Sequence, residues 1–512
     1  MTITLTLSPG PALEIQADAA AVIFRPGEGL GELTERLSQN AQKWVSADRH
    51  AFTWVEAKKA TTPRVVLAGA GAAGEAPTSG ARPGAAAAAE RHSLRLLGAS
   101  LERALNKAKL ARVILTSASP IDLAPVIEGM ILRSYRSTEW RRKPDPQTLR
   151  EVVIVPAGGG EVPGLQARLA EAQILAEAQN YARELADLPG NHGGPAAVVV
   201  RAREAAAPVG LIVDVLGDSD AAELGMGLFL GVNQGAAQPG RILILEHRGA
   251  ESPTLVLVGK GVTHDTGGYN LKSSSTLHDM TYDKCGATAV IGAMQAIARL
   301  ALPARVIAVC PLVENCVDAE AFKPGDILRA MDGTTVFIDN TDAEGRLILA
   351  DCLTYVRRYK PDAVIDIATL TGACATALGE HYAGLFTNSD ELRDLLIEAG
   401  EASGDLVWPL PIHPAHVRAL QHHKADLKNT GPRAGGASTA AAFLRHFTDY
   451  PWAHLDMAGS GHTSTGRDYY GKGATGYGVR LLVAAIRRLC APEAAAGDEA
   501  ERGKTKRRKQ SG

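Results

Sequence analysis

Residues 254–268 read TLVLVGKGVTHDTGG, and they determine how the rest of the chain is interpreted. The apolar run that ends at Val258 is typical of a strand buried on both faces, and the glycines after it predict tight backbone turns. Lys260 and Asp265 follow this run directly. Because ligands bind at the carboxyl ends of strands in parallel α/β sheets, we expect these charged side chains to belong to a functional site.

Strand and helix patterns alternate on both sides of this stretch. The strand-like runs are 3–7, 20–24, 64–68, 111–116, 151–157, 242–248, 305–314 and 362–370, and the helical runs are 164–188, 287–301 and 345–359. This alternation predicts an α/β protein with a mostly parallel central sheet flanked by helices. We expect two domains, a smaller N-terminal α/β domain (1–163) and a larger C-terminal one (190–490), joined by a helix over 164–189.

Composition excludes several classes of protein. The 512 residues carry 54 basic and 56 acidic side chains, so the net charge of -2 gives no broad field for nucleic acid or an anionic membrane. No stretch approaches the roughly 18 apolar residues that a membrane span needs, and the first residues lack a secretory pattern. Six cysteines without a CxxC pair indicate free thiols in a reducing compartment. We therefore expect a soluble, cytoplasmic protein.

Two segments have a composition unlike that of a packed domain. Residues 68–90 are rich in Ala, Gly and Pro, which predicts a mobile surface insertion. Gly69, Gly71 and Gly74 spell GxGxxG there, but prolines and glycines follow instead of an amphipathic helix, so we reject a dinucleotide site. The end of the chain, 491–512, is a basic tail that we expect to be disordered.

Charged residues concentrate in two segments that otherwise look buried. The first supplies Lys260, Asp265, Lys272, Asp279 and Asp283, and the second, DNTDAEGR at 339–346, supplies Asp339, Asp342, Glu344 and Arg346. Carboxylates this close repel one another in a low dielectric, so the cluster requires cations, and a pair of divalent ions meets that requirement. Oxygen ligands without His or Cys favour Mg²⁺, Mn²⁺, or Zn²⁺ and Co²⁺ in hard sites. Such a centre generates hydroxide near neutral pH, which indicates hydrolysis.

These segments resemble the leucyl aminopeptidase family, also called cytosol aminopeptidases. The strings that carry the resemblance are VGKGVTHDTGG, LKSSSTLHDMTYD, NTDAEGRLILADCLTY and IDIATLTGA, and NTDAEGR is the signature loop of the family. Weaker matches lie at 132–136, 226–235, 425–431, 452–459 and 472–482. The resemblance is close in the C-terminal region and loose in the N-terminal one, and it implies that 190–490 is a catalytic metallopeptidase domain.

The resemblance implies five metal ligands, which are Lys260, Asp265, Asp283, Asp342 and Glu344. Lys260, as a neutral amine, and Asp283 would ligate one ion. Asp342 would ligate the other. Asp265 and Glu344 would bridge the two ions, and the reaction would proceed through a bridging hydroxide.

The remaining roles that the resemblance implies concern the substrate. Lys272 and Arg346 would be the catalytic pair: Lys272 polarises the scissile carbonyl, and Arg346 holds a bicarbonate ion that acts as general base. Lys272 would also bind substrate, together with Thr369, Leu370 and Gly372.

The implied activity is removal of the N-terminal residue, Leu and other apolar residues preferred, from short peptides. The cofactors would be two divalent ions per subunit, Mn²⁺ or Zn²⁺ with Mg²⁺ or Co²⁺ as alternatives, and the assembly a homohexamer built as a dimer of trimers. Two alternatives remain open at this point: an additional DNA-binding or regulatory role carried by the basic tail, and a catalytically weak structural relative. Nucleic acid is disfavoured by the net charge.

Three further side chains near these segments are interpreted as structural. We expect Asp279 and Asp339 to support the site without ligating, because the family pattern does not use them. His264 precedes a bridging aspartate, and alternation along an extended segment points its ring away from Asp265.

Overall fold

A computed structural model describes residues 3–25, 52–58, 60–62, 64–71, 84–144 and 146–490. Its strands form two large sheets and two small ones. None of the helices in these ranges combines the length and apolar character that a membrane crossing requires. The expected basic tail, 491–512, lies outside the described residues.

In the described part of the N-terminal region, six strands form one sheet and two α-helices accompany it. Its strands are β1 (Thr4–Leu7), β2 (Ala19–Phe24), β3 (Phe52–Glu56), β4 (Arg64–Gly69), β5 (Arg112–Ser117) and β6 (Glu151–Val155), and its helices are α1 (Ala85–Lys107) and α2 (Ala124–Ser134). The strand order is β1-β6-β5-β2-β4-β3. Only the edge pair β3–β4 is antiparallel among these described strands, because a short turn cannot join parallel neighbours.

The expectation of a mobile insertion over 68–90 was wrong at both ends. Residues up to Gly69 belong to β4, and helix α1 begins at Ala85. Alanine has the strongest helix propensity, so the run 85–89 extends a helix whose later turns bury Leu94, Leu97 and Leu101. The middle of the segment, 72–83, lies outside the described residues.

The C-terminal region contains the larger sheet. The strands described in this region, those of the two small sheets included, are β7 (Ile212–Leu216), β8 (Arg241–Arg248), β9 (Thr254–Gly259), β10 (Gly261–Asp265), β11 (Arg305–Asn315), β12 (Ile327–Arg329), β13 (Thr335–Phe337), β14 (Ala363–Ala368), β15 (Tyr382–Thr387), β16 (Leu406–Pro409), β17 (Leu427–Lys428), β18 (Trp452–Asp456), β19 (His462–Thr463) and β20 (Gly473–Ala474). The α-helices described in this region are α3 (Leu165–Ala186), α4 (Pro195–Ala206), α5 (Asp218–Glu223), α6 (Gly227–Asn233), α7 (Ser274–Leu277), α8 (Cys285–Arg299), α9 (Gly345–Tyr355), α10 (Gly372–Leu378), α11 (Asp390–Ser403), α12 (Pro414–Arg418), α13 (Gly436–His446) and α14 (Val479–Leu489). Between α7 and α8 the chain forms a 3₁₀-helix, His278–Lys284.

Strand β9 lies at the centre of this sheet, between β14 and β11 and parallel to both. Leu255 and Leu257 face one apolar layer, formed largely by α3, α8 and α14. Val256 and Val258 face the other layer, formed largely by α9 and α13. The period of two thus buries both faces of the strand, as its continuous apolar sequence requires. The predicted two-domain α/β fold with a mostly parallel sheet is confirmed.

A buried ion network fastens the two domains together. Arg480 of α14 binds Glu128 of α2 at 2.7 Å and Asp405 at 3.0 Å, and its Nε donates to Gln179 of α3 at 2.6 Å. Arg480 is 2% exposed. Because leaving a buried charge without its partner is costly, this network favours one packing arrangement of α2, α3 and α14.

Candidate metal centre

The predicted site residues lie where neighbouring strands of the larger sheet end. Lys260 follows β9, Asp265 ends β10, Asp283 lies in the 3₁₀-helix before α8, and Thr369 follows β14. Parallel strands deliver these carboxyl ends to one edge, so residues far apart in sequence converge there. Glu344 joins them from the start of α9.

Two glycines are required by close approaches at this edge. A Cβ on Gly345 would lie 2.5 Å from Lys260 Cε, so only glycine lets the first turn of α9 pack against that lysine. Gly267 has a φ of +85°, a left-handed conformation that L side chains rarely adopt. It turns the chain after Asp265 and allows Lys272 to return to the site.

Lys260 joins two of the predicted ligands. Its Nζ lies 2.8 Å from Asp283 Oδ2 and 2.8 Å from Glu344 Oε1, and it donates to the carbonyl oxygen of Thr369 at 3.0 Å. Its side chain is 3% exposed. Burial acts to lower the pKa of Lys260, but the charges of Asp283 and Glu344 outweigh burial and hold that pKa above its ordinary value. We call Lys260, Asp283 and Glu344 the deep end of the site.

Lys272 joins the other ligands in the same way. Its Nζ lies 2.8 Å from Asp265 Oδ2 and makes a close contact with Asp342 Oδ1. Its side chain is 19% exposed, and that of Asp342 is 32% exposed. Burial opposes the protonated form here too, but Asp265, Glu344 and Asp342 hold the pKa of Lys272 above its ordinary value. We call Lys272, Asp265 and Asp342 the outer end.

The two ends form one acidic cluster. Carboxylate oxygens of Asp265, Asp342 and Glu344 all lie within 4.8 Å of one another. Burial raises the pKa of Asp283 and of Asp265, and the neighbouring carboxylates raise both further. This repulsion means that additional positive charge at the site would stabilise the ionised carboxylates.

The donor set fits divalent cations. Glu344 Oε2 is buried and has no hydrogen-bond partner among the described residues, an arrangement that is costly unless a ligand occupies that direction. Oxygen donors with one amine suit hard or borderline ions, and Lys260 becomes a donor once it loses its proton to such an ion. Lys260, Asp265, Asp283, Asp342 and Glu344 could therefore hold the expected metals.

Arg346 lies on the first turn of α9, beside the cluster. It is 7% exposed, and its Nη1 donates to the carbonyl oxygen of Asn429 at 2.7 Å. Its Nε is buried without a hydrogen-bond partner in the described part of the chain. Burial lowers the pKa of Arg346 to about 10, so the guanidinium stays charged and retains donors for an anion.

The segment with Thr369, Leu370 and Gly372 forms another wall of the site. Thr369 Oγ1 donates to Asp283 Oδ1 at 2.7 Å. A Cβ built on Gly372 meets nothing within 4 Å, so open space lies beside this wall. The backbone N–H of Leu370 donates to Asp456 Oδ1 at 3.1 Å.

Three supporting residues were missed by the sequence analysis. Asp456, 1% exposed, also accepts from the hydroxyl of Thr371. Asn315 Nδ2 donates to Asp265 Oδ1 at 2.8 Å, and Asn429 Oδ1 accepts from the backbone N–H of Asp339 at 2.8 Å. Asn429 and Asp456 fall in two of the weaker matching stretches, 425–431 and 452–459, which was the available signal.

The residues interpreted as structural lie at the edge of the site. Asp339 Oδ2 accepts from the hydroxyl of Thr430 at 2.7 Å, and Asp279 pairs with His278 at 3.3 Å. Neither belongs to the acidic cluster found among the described residues, and His264 does not either.

Comparison with known proteins identifies the family of the chain. The catalytic-domain profile of the cytosol aminopeptidase family matches residues 180–483. The "Probable cytosol aminopeptidase" of Syntrophotalea carbinolica is 42% identical over 429 residues, 82% of this chain and 84% of that protein. That of Methylobacillus flagellatus is 38% identical over 480 residues, 91% of this chain and 92% of its own.

Two solved structures share the fold. The bottromycin maturation enzyme BotP in complex with Mn has a TM-score of 0.81 and 33% identity, over 93% of this chain and 100% of its own. A tomato leucine aminopeptidase mutant has a TM-score of 0.81 and 28% identity, over 95% of this chain and 96% of its own. The chain therefore belongs to the cytosol aminopeptidase family and is a metal-dependent, leucyl aminopeptidase-type hydrolase.

Proposed function

We propose that this enzyme removes the first residue, Leu and other apolar residues preferred, from short peptides with two divalent ions. Lys260, Asp265, Asp283, Asp342 and Glu344 are the ligands in this proposal. The observation that carries it is the convergence of four carboxylates and two lysines at one sheet edge, with Glu344 Oε2 left without a partner in the described chain. Completeness of this set argues against a catalytically weak relative.

The ions would activate a water molecule as nucleophile and polarise the carbonyl that it attacks. Mn²⁺ and Zn²⁺ are the leading candidates, with Mg²⁺ and Co²⁺ as alternatives. The fold relative BotP was solved in complex with Mn, which supports manganese as the first ion to test.

The protein supplies charge around the peptide bond. Lys272, partly exposed at the outer end, donates to the substrate carbonyl oxygen as negative charge develops there. Arg346 has unused guanidinium donors that would hold a bicarbonate ion, and a bicarbonate bound there would supply a general base. Because Arg346 is fixed by Asn429, the anion site needs little reorganisation.

The substrate runs from the deep end outward. Its free amine lies at the Lys260–Asp283 end, where buried carboxylates favour a cationic or metal-bound nitrogen. Thr369, Leu370 and Gly372 contact the first residue, and the open space beside Gly372 admits its side chain. We also propose a cytoplasmic homohexamer, a dimer of trimers, whose enclosed sites admit short peptides only.

Hydrolysis of Leu-p-nitroanilide with added Mn²⁺ or Zn²⁺ tests the proposal. We expect activity that chelation abolishes and metal restores, and no cleavage of the N-acetylated substrate, since the amine is then blocked. Comparing Leu, Ala, Lys and Asp anilides tests the apolar preference. Chelator-resistant activity, or equal cleavage of the acetylated compound, would contradict the proposal.

A further inference from the structure

A third lysine, beyond Lys260 and Lys272, lies in the 3₁₀-helix that carries Asp283, which we call the metal turn, and the proposed reaction does not use it. Lys284 directly follows Asp283 and ends the 3₁₀-helix His278–Lys284. It is 0% exposed, although its ammonium forms no ion pair within the described part of the chain. A buried ammonium without a carboxylate partner is costly, so its hydrogen bonds need an explanation.

The partners of Lys284 are three neutral oxygens. Its Nζ donates to the carbonyl oxygen of Thr281 at 2.6 Å, to Thr281 Oγ1 at 2.7 Å and to the carbonyl oxygen of Leu188 at 3.1 Å. An ammonium has three N–H donors, and each of them has an acceptor. Thr281 Oγ1 in turn donates to the Leu188 carbonyl at 2.8 Å, which closes the arrangement.

These contacts join the metal turn to a fixed point of the fold. Leu188 lies just beyond the end of α3, next to Asp187. Asp187 accepts from the hydroxyl of Tyr135 at 2.7 Å and from the backbone N–H of Ala474 at 2.9 Å, so both domains hold this point. Lys284 and Thr281 together link this fixed point to the turn that carries Asp283.

The turn needs such a link because of its own geometry. A 3₁₀-helix has poorer hydrogen bonds than an α-helix and does not hold long runs. Asp283 contacts Lys260 and Thr369 through its side chain, but its backbone position depends on the turn. Mutation of a residue that holds a metal ligand in place without contacting the ion lowers metal affinity by about 10–100-fold.

We propose that Lys284 is a positioning residue for the metal centre. Its ammonium, with Thr281 Oγ1, fixes the turn against the end of α3 and so places Asp283 for the ion that it shares with Lys260. This inference rests on the proposed function, because it takes Asp283 as a ligand.

The test measures Mn²⁺ binding directly, by electron paramagnetic resonance titration of the metal-free full-length chain. The parent chain should bind two ions. Lys284→Met should weaken one of them by about tenfold or more and leave the other unchanged. Turnover of Lys284→Met at saturating Mn²⁺ should recover toward the parent value, because the catalytic groups are intact.

Two further variants keep the test informative if Lys284→Met does not fold. Thr281→Val removes the hydroxyl at nearly constant volume and should also weaken one ion, whereas Thr281→Ser keeps the hydroxyl and should retain parent affinity. Arg95→Lys is the matched control, since Arg95 is a buried cation on α1 that pairs with Glu128 of α2 at 2.8 Å, away from the turn and from the end of α3. It should change the melting temperature without changing Mn²⁺ affinity.

The outcomes separate the two proposals. A parent chain that binds no Mn²⁺ at this site would contradict the proposed function. A parent that binds two ions, with Lys284→Met and Thr281→Val binding both at parent affinity, would overturn the role of Lys284 alone. Equal weakening in Arg95→Lys would overturn it too, because any loss of packing would then have the same effect.

Discussion

The deep and outer ends of the site are built on the same contact but differ in their exposure to solvent. In each, a lysine ammonium lies between two carboxylates, Lys260 between Asp283 and Glu344 and Lys272 between Asp265 and Asp342. Lys260 is 3% exposed, whereas Lys272 is 19% exposed. A lysine sealed from solvent can serve the metals, and a lysine that reaches solvent can also serve the substrate.

The chain around each lysine explains this difference. Lys260 follows a central strand and packs closely against Gly345, so its side chain has little freedom to move. Lys272 lies on a loop after two glycines with left-handed backbone, where the side chain approaches from the solvent side. The difference teaches that backbone placement assigns the role, since the side-chain chemistry is identical.

Loss of the deep lysine should have the largest effect. Lys260→Met leaves Asp283 and Glu344 buried without their cation, and it removes an amine ligand. We expect activity to fall by more than the about 10²–10³-fold typical of losing one transition-state donor. Mn²⁺ titration should show one ion lost. Retention of two ions at parent affinity would remove the distinction between the ends.

The outer lysine should affect turnover but not metal content. Lys272→Met removes the proposed donor to the substrate carbonyl, so kcat should fall by about 10²–10³-fold. Both ions should still bind, because the carboxylates of Asp265 and Asp342 remain. Steady-state kinetics beside a metal titration measures this, and a variant that loses an ion would show that Lys272 is needed for the metals as well.

Replacement of Asp456 should have a smaller effect on activity. It would act through the wall of the site that contains Thr369, Leu370 and Gly372, next to the deep end. Asp456→Ala removes the acceptor for Leu370 N–H and for the Thr371 hydroxyl, so KM should rise and kcat/KM fall by about 10–100-fold. Asp456→Asn keeps one acceptor oxygen and should recover much of the loss. If Ala and Asn variants match the parent, the wall does not depend on this contact.

The smallest expected effect is on the free energy of unfolding as a function of pH, and it comes from a buried ion pair beneath the site. His454 and Asp366 form a buried pair, which raises the pKa of His454 against burial, with Asp456 adding to this and Arg346 opposing it. The stabilisation by this pair is complete at pH values below the pKa that His454 has in the unfolded chain. It is lost as the pH rises through the higher pKa that His454 has in the folded chain. Each unit of pKa difference is worth about 1.4 kcal/mol.

Chemical denaturation across pH checks this. The parent chain should lose stability as pH rises above the ordinary histidine range, and His454→Gln should lack that slope. A variant with an unchanged slope would show that another group titrates there.

The sequence predicted the elements well and singled out the charged side chains that the structure brings together, because both depend on local patterns. The period-two burial of β9 and the spacing from Lys260 to Asp283 are readable from one stretch. The support from Asn429 and Asp456 was not predicted, because these residues lie more than 80 positions from the groups they hold. Helix α1 was missed at its start because an alanine run is ambiguous between a helix and a low-complexity segment.

Anomalous diffraction at the manganese edge, on crystals grown with excess Mn²⁺, tests the central claim most directly. We predict two peaks per chain, one contacting Lys260 and Asp283, the other contacting Asp342, with Asp265 and Glu344 between them. Absence of anomalous density among these five side chains would contradict the account.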